Sequence, residues 1–149
     1  MELILWRHAD AEDEGPGGDL ARELTKRGRK QSARMGAWLR ERITQEWRVL
    51  SSPARRAVQT AEGLGMPFEE RAALAPNASV AAILAEAQWP DGKRPVVVVG
   101  HQPTLGEVAA KLLGTREDVA FRKAAAWWFE DRGGQVVLKC VMDPDRLEP

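Results

Sequence analysis

Two histidines occur in the 149-residue chain, and each ends a hydrophobic run: "ELILW" leads into Arg7-His8, and "RPVVVVG" leads into His101. Between them a third short run, "RVLSS" (48–52), stops just before Arg55. If the three runs are parallel strands of one open α/β sheet, their carboxyl ends share an edge, where such sheets bind ligands. Arg7, His8, Arg55 and His101 then converge although they lie far apart in sequence. Two guanidiniums and two imidazoles supply hydrogen-bond donors and positive charge. An arginine fork matches phosphate oxygens in pairs. A helix following His101 can aim free backbone N–H groups at the same anion. A neutral imidazole in that pocket is also a nucleophile able to hold a phosphoryl group covalently. The residue types point to phosphoryl chemistry.

The elements that would position these groups follow from periodicity and turn chemistry. Residues 2–6 read as a buried strand, followed by the polar, Gly-rich loop "ADAEDEGPGGDLAREL". Thr25 is the N-cap of a long helix, with Met35, Trp38, Leu39 and Ile43 at helical spacing. Pro53 opens a second helix capped by Ser52, with Ala57, Ala61 and Leu64 on one face. A third helix spans 79–88. Four consecutive valines in 94–101 mark a strand buried on both faces. A helix over 104–113 ends at Gly114, and 125–130 and 135–141 form a hairpin around "DRGG". Alternating strands and helices predict an α/β three-layer sandwich whose mostly parallel sheet ends in an antiparallel hairpin. Residues 1–149 form one domain by length. As the third helical residue, Arg55 stands by the strand end. Arg56, about 100° further around the helix, is expected in solvent.

Composition narrows the classes. Lys+Arg and Asp+Glu both number 22, so a formal net charge of +0 gives no footprint for nucleic acid or an anionic membrane. No apolar run approaches the roughly 20 residues of a membrane helix. The N-terminus lacks a signal-peptide pattern. Cys140 is the single cysteine, which excludes an internal disulfide or a cysteine zinc cluster and suits a cytoplasmic location. Two histidines and an aspartate are conceivable zinc ligands, but the arginines would repel the ion. No metal or cofactor is expected.

"LILWRHADAE", "LSSPARRAVQTAE" and "VVVVGHQPTLGE", in that order, resemble three signatures of the histidine phosphatase (phosphoglycerate mutase-like) superfamily. These are the N-terminal Arg-His-Gly, the Ser-x-x-x-Arg-Ala-x-Gln-Thr-Ala helix start and the later Gly-His. The length and "LTKRGRKQS" look most like the small bacterial phosphohistidine phosphatases (SixA-type). The resemblance implies that His8 is the phosphorylated nucleophile, and that Arg7, Arg55 and His101 bind the transferring phosphoryl group. It departs at Ala9, where the motif has glycine, and at Glu14, where many relatives have a phosphate-holding asparagine. "AALAP" and Gln102 occupy the places where relatives acting on esters carry a carboxylic acid. Asp10, Glu12 and Asp13 are the substitute proton donors.

Residues 56–100 number 45, used up by a helix tail, a loop, a helix and a strand. No cap insertion is expected, and an open pocket suits a phosphate displayed on a protein. The expected function is a metal-independent phosphatase acting on phosphohistidine of a phosphotransfer domain or phosphocarrier. Inorganic phosphate or sulfate should occupy its pocket. A phosphatase of small esters is the alternative, and a noncatalytic phosphate-binding or interaction domain is the competing class.

Overall fold

The computed structural model describes residues 1–147. Six strands form one sheet: β1 (Glu2–Arg7), β2 (Arg48–Ser51), β3 (Glu69–Glu70), β4 (Val96–Gly100), β5 (Ala126–Arg132) and β6 (Gln135–Met142). Their spatial order is β3-β2-β4-β1-β5-β6. β1 to β4 run parallel; β5 is antiparallel to β1, and β6 to β5. The helices are α1 (Lys26–Arg40), α2 (Arg55–Glu62), α3 (Val80–Ala87) and α4 (Thr104–Leu113).

Period-two alternation divides the core into two layers. Ile4, Trp6, Val97 and Val99 face α1 and α2, where they meet Met35, Leu39, Ala57 and Ala61. Leu3, Leu5, Val96 and Val98 face α3 and α4, where they meet Ile83, Ala87, Leu105 and Val108. β4 is fully buried because both faces are covered. The three-layer α/β sandwich expected from the sequence is the architecture found.

Two helix ends bear directly on the pocket. Thr25 caps α1 by accepting from the Gly28 N–H, and its own N–H donates to Asp10 O at 3.0 Å. A Cβ on Gly28 would stand 1.9 Å from Asp10 O, so a side chain there would force α1 off the loop that follows His8. α2 differs from expectation. Its N-cap is Ala54 without a side-chain bond, and the helix begins at Arg55 rather than Pro53. Ser52 accepts from the Ala54 N–H at 3.2 Å, but its hydroxyl is otherwise engaged across the sheet edge.

Candidate active site

Register brings the two histidines together. Arg7 of β1 pairs with Gly100 of β4, and the His8 N–H donates to Gly100 O at 3.0 Å. The residues that follow each strand therefore leave the sheet side by side. The imidazole rings of His8 and His101 stand with centroids 5.2 Å apart. They line an open cleft of about 450 Å³ together with Arg7, Asp13, Asp19, Arg22, Arg56, Asn77, Gln102 and Lys123.

His8 Nδ1 lies 2.8 Å from Ala9 O. A carbonyl only accepts, so Nδ1 carries the proton and the neutral ring keeps its lone pair on Nε2. Burial pushes the His8 pKa down to about 4, helped by Arg56, Arg7 and Arg22, against the opposing Ala9 hydrogen bond. At neutral pH the ring is uncharged and its tautomer is fixed. Ala9 replaces the motif glycine without strain. It lies outside the positive-φ region, and its buried N–H donates to Thr60 Oγ1 at 3.0 Å.

His101 is 5% exposed, and burial, with His8 next and then Arg56, lowers its pKa to about 3. Its Nε2 lies 2.7 Å from Ser52 Oγ. That oxygen already accepts from Ala54, and the hydroxyl proton has one acceptor, His101 Nε2. The remaining proton of neutral His101 is then on Nδ1, which is buried without a partner among the described residues. Arg7 donates through one terminal nitrogen to Phe121 O at 2.7 Å, and its buried Nε has no partner among the described residues. Arg56 Nε is likewise buried and, among the described residues, unpartnered. Among the described residues these three buried donors have no partner, and all three belong to side chains that line the cleft.

The two adjacent arginines exchange the places expected for them. Arg55 points away from the cleft: its side chain is 47% exposed and pairs with Glu23 at 3.6 Å and Glu62 at 3.8 Å. Arg56 is 4% exposed and lines the cleft. It shares a helix face with Thr60, whose hydroxyl donates to Arg56 O at 2.8 Å and receives Ala9 N–H. The expectation of Arg55 in the pocket and Arg56 in water is therefore corrected. The signal was present in the motif, whose arginine directly precedes alanine; here that step is Arg56-Ala57.

The acidic candidates also separate. The Asp10 carboxylate is held by Lys123 Nζ at 2.6 Å and Thr25 Oγ1 at 2.7 Å, which keep its pKa below the usual range. Asp10 and Glu12 do not line the cleft; Asp13 does. Glu14 is exposed and outside it. Gln102 lines the cleft, but its amide donates to Val119 O and accepts from Gly106 N–H, so it serves the start of α4. Three charged groups in the cleft were not anticipated: Lys123, which pairs with Asp10, and the pair Asp19 and Arg22, joined at 3.1 Å. That pair arrives on a loop whose return path has no periodic pattern to read. Among the described residues no group of three or more His, Cys, Asp or Glu is placed to hold a metal ion.

A neutral strand-end imidazole beside arginines and a second imidazole is chemistry suited to binding and holding a phosphoryl group. Residues 3–77 match the family model described as histidine phosphatase superfamily (branch 1), and the chain belongs to that superfamily. Its relatives include the phosphohistidine phosphatase SixA of Escherichia coli (strain K12), 33% identical over 157 aligned positions covering 99% of this chain and 97% of that one. A SixA homolog from Haemophilus influenzae is 29% identical, covering 83% of this chain and 84% of its own. The solved structure of SixA complexed with tungstate superposes with a TM-score of 0.85 at 30% identity, covering 99% and 100%. The chain is thus a histidine phosphatase homologous to SixA, as its motifs had indicated.

Proposed function

We propose that the chain is a phosphatase that works without a metal through phospho-His8 and removes phosphate from phosphohistidine on a protein. The observation that carries this reading is the neutral His8 Nε2 set among the unspent donors of Arg7, Arg56 and His101. Nε2 attacks phosphorus, the P–N bond of the substrate breaks, and the departing imidazole takes a proton from water. Water then attacks phospho-His8, releasing inorganic phosphate and restoring the ring. Arg7 and Arg56 stabilise the equatorial oxygens, with His101 Nδ1–H donating to the same group. Tungstate binding by the SixA structure is in keeping with an oxyanion at this place.

The substrate follows from the acid supply. An alkoxide leaving group needs a positioned general acid, whereas imidazole, with a reference pKa of about 6.5, is protonated readily. Arginines hold the Asp19 pKa low, and Gln102 carries no acidic proton. Asp13, at the wall of the cleft, is the one expected donor that lines it. The open cleft suits a phosphate presented on a protein surface. The test is kcat/KM for a phosphorylated phosphotransfer domain, p-nitrophenyl phosphate and glycerol phosphate side by side. The expected order is phosphohistidine, then aryl, then alkyl phosphate. An alkyl phosphate matching phosphohistidine would overturn the assignment and make Asp13 the proton donor to remove first.

A further inference from the structure

Arg56 is buried, and the group facing it is Asp19, on a single 3-10 turn (Asp19–Ala21) that folds over the cleft. Two different atoms of Asp19 meet its guanidinium. The main-chain carbonyl accepts from one terminal nitrogen at 2.9 Å; the carboxylate accepts from the other at the longer distance of 3.3 Å. The second carboxylate oxygen accepts from Arg22 at 3.1 Å. The shorter bond, which orients Arg56, needs no side chain on residue 19. The carboxylate adds charge more than position. Its side chain is 57% exposed against 5% for Arg56, so the carboxylate could turn into water without burying anything.

The turn is placed by its backbone. Gly17 and Gly18 have φ of 96° and 86°, and the loop base is closed by a bridge between Ala11 and Leu24. Asp19 is therefore delivered to the arginines by conformation rather than by attraction alone. It gives Arg56 and Arg22 the negative partner that a phosphate would otherwise be.

We propose that the Asp19 carboxylate is a built-in counter-ion that competes with phosphate for Arg56 and Arg22 and so weakens product binding. This rests on the phosphatase reading above. A phosphatase meets its product at every turnover, and a cleft of uncompensated guanidiniums would retain it. With Asp19 in place, an incoming dianion must displace a carboxylate from Arg56 or bind beside it, and either costs affinity. Asp19 is a positioning and affinity-setting residue; the reacting phosphorus is handled by others.

The experiment titrates inorganic phosphate into the wild-type protein and into Asp19→Asn, Asp19→Glu and Asp13→Asn by calorimetry, with phosphate inhibition of p-nitrophenyl phosphate turnover in parallel. Asp19→Asn keeps the main-chain bond and removes the charge. Its phosphate Kd should fall about tenfold, ~1.4 kcal/mol, with Ki and KM falling together. Asp19→Glu, which restores the charge, should return Kd to within about twofold of wild type. Asp13 lines the same cleft without an ion pair among the described residues, so Asp13→Asn should change Kd less than about twofold. An unchanged or weaker Kd in Asp19→Asn would overturn the inference and leave Asp19 a structural partner of Arg56. An equal gain in Asp13→Asn would overturn it too, by showing a general field. Absence of p-nitrophenyl phosphate turnover by the wild-type protein would remove the phosphatase reading, and this inference with it.

Discussion

The sharpest perturbation compares two neighbouring arginines with opposite surroundings. Arg56 is 4% exposed, faces His8 and His101 across the cleft, and has a buried, unpartnered Nε. Removing one preorganised donor from a developing oxyanion costs about 100- to 1,000-fold, ~2.7–4 kcal/mol. Arg56→Ala should lower kcat/KM for p-nitrophenyl phosphate by that factor. Arg56→Lys should recover little, because a point charge does not replace a fork. Arg55 makes two long surface ion pairs, each worth at most about 1 kcal/mol to stability and nothing to the reaction. Arg55→Ala should change kcat/KM less than about twofold. Stability behaves differently from activity. Burial lowers the Arg56 pKa, so the folded state bears a desolvation cost there that alanine relieves. Asp19, left behind, is mostly in water. The melting temperature of Arg56→Ala should therefore stay within about 4 °C of wild type. Steady-state kinetics and thermal melts on the four proteins decide the matter. Equal losses from Arg55→Ala and Arg56→Ala, or a loss confined to Arg55→Ala, would refute the assignment of this helix face.

Other outcomes follow from the same geometry. His8→Ala should abolish turnover, and acid-labile phosphate should be trapped on His8 when the wild-type reaction is quenched; near-normal activity in the variant would sink the covalent route. EDTA should leave kcat/KM unchanged, and activity lost to chelation and restored by zinc or manganese would contradict the metal-free proposal. The pH dependence of stability has a definite sign. His8 and His101 are held to about 4 and about 3 in the folded chain against 6.5 when free, so below pH 6.5 the unfolded chain takes up protons that the folded one refuses. Stability should fall as pH drops from about 6.5 to 4, by roughly 3 kcal/mol from His8 alone. A chemical-denaturation series in His8→Ala should show a shallower slope.

Much of this architecture could be read before any coordinates. β1 and β4 are legible because burial on both faces leaves an unbroken apolar run, and α4 because Gly114 in the left-handed region stops it where expected. The start of α2 misled. Ser52 before Pro53 is a strong local signal for a cap, yet its hydroxyl is claimed by His101 from a strand 49 residues away. A tertiary partner outweighed the local one, the helix began two residues later, and the reading of which arginine meets the strand end slipped by one. Asp19 and Arg22 were illegible for another reason. Their loop is Gly-rich and acidic, which reads as solvated, and its return to the cleft depends on positive-φ glycines and an isolated bridge between Ala11 and Leu24.

The hydrogen bonds from the His8 N–H to Gly100 O and from the Ser52 N–H to Val99 O extend the central ladder into the cleft. Both belong to the most buried strands of the molecule, so these amides should exchange with solvent only through global opening. The 13–22 wall is held by turn bonds, Ala21 N–H to Gly18 O and Arg22 N–H to Asp19 O, and should exchange through small local fluctuations. Catalytic spacing and global cooperativity are thereby one property. A destabilising core substitution away from the cleft should lower the fraction of competent molecules while leaving each folded molecule with undiminished kcat. Loss of activity on heating should then follow the melting curve itself, with no earlier inactivation step at the histidines.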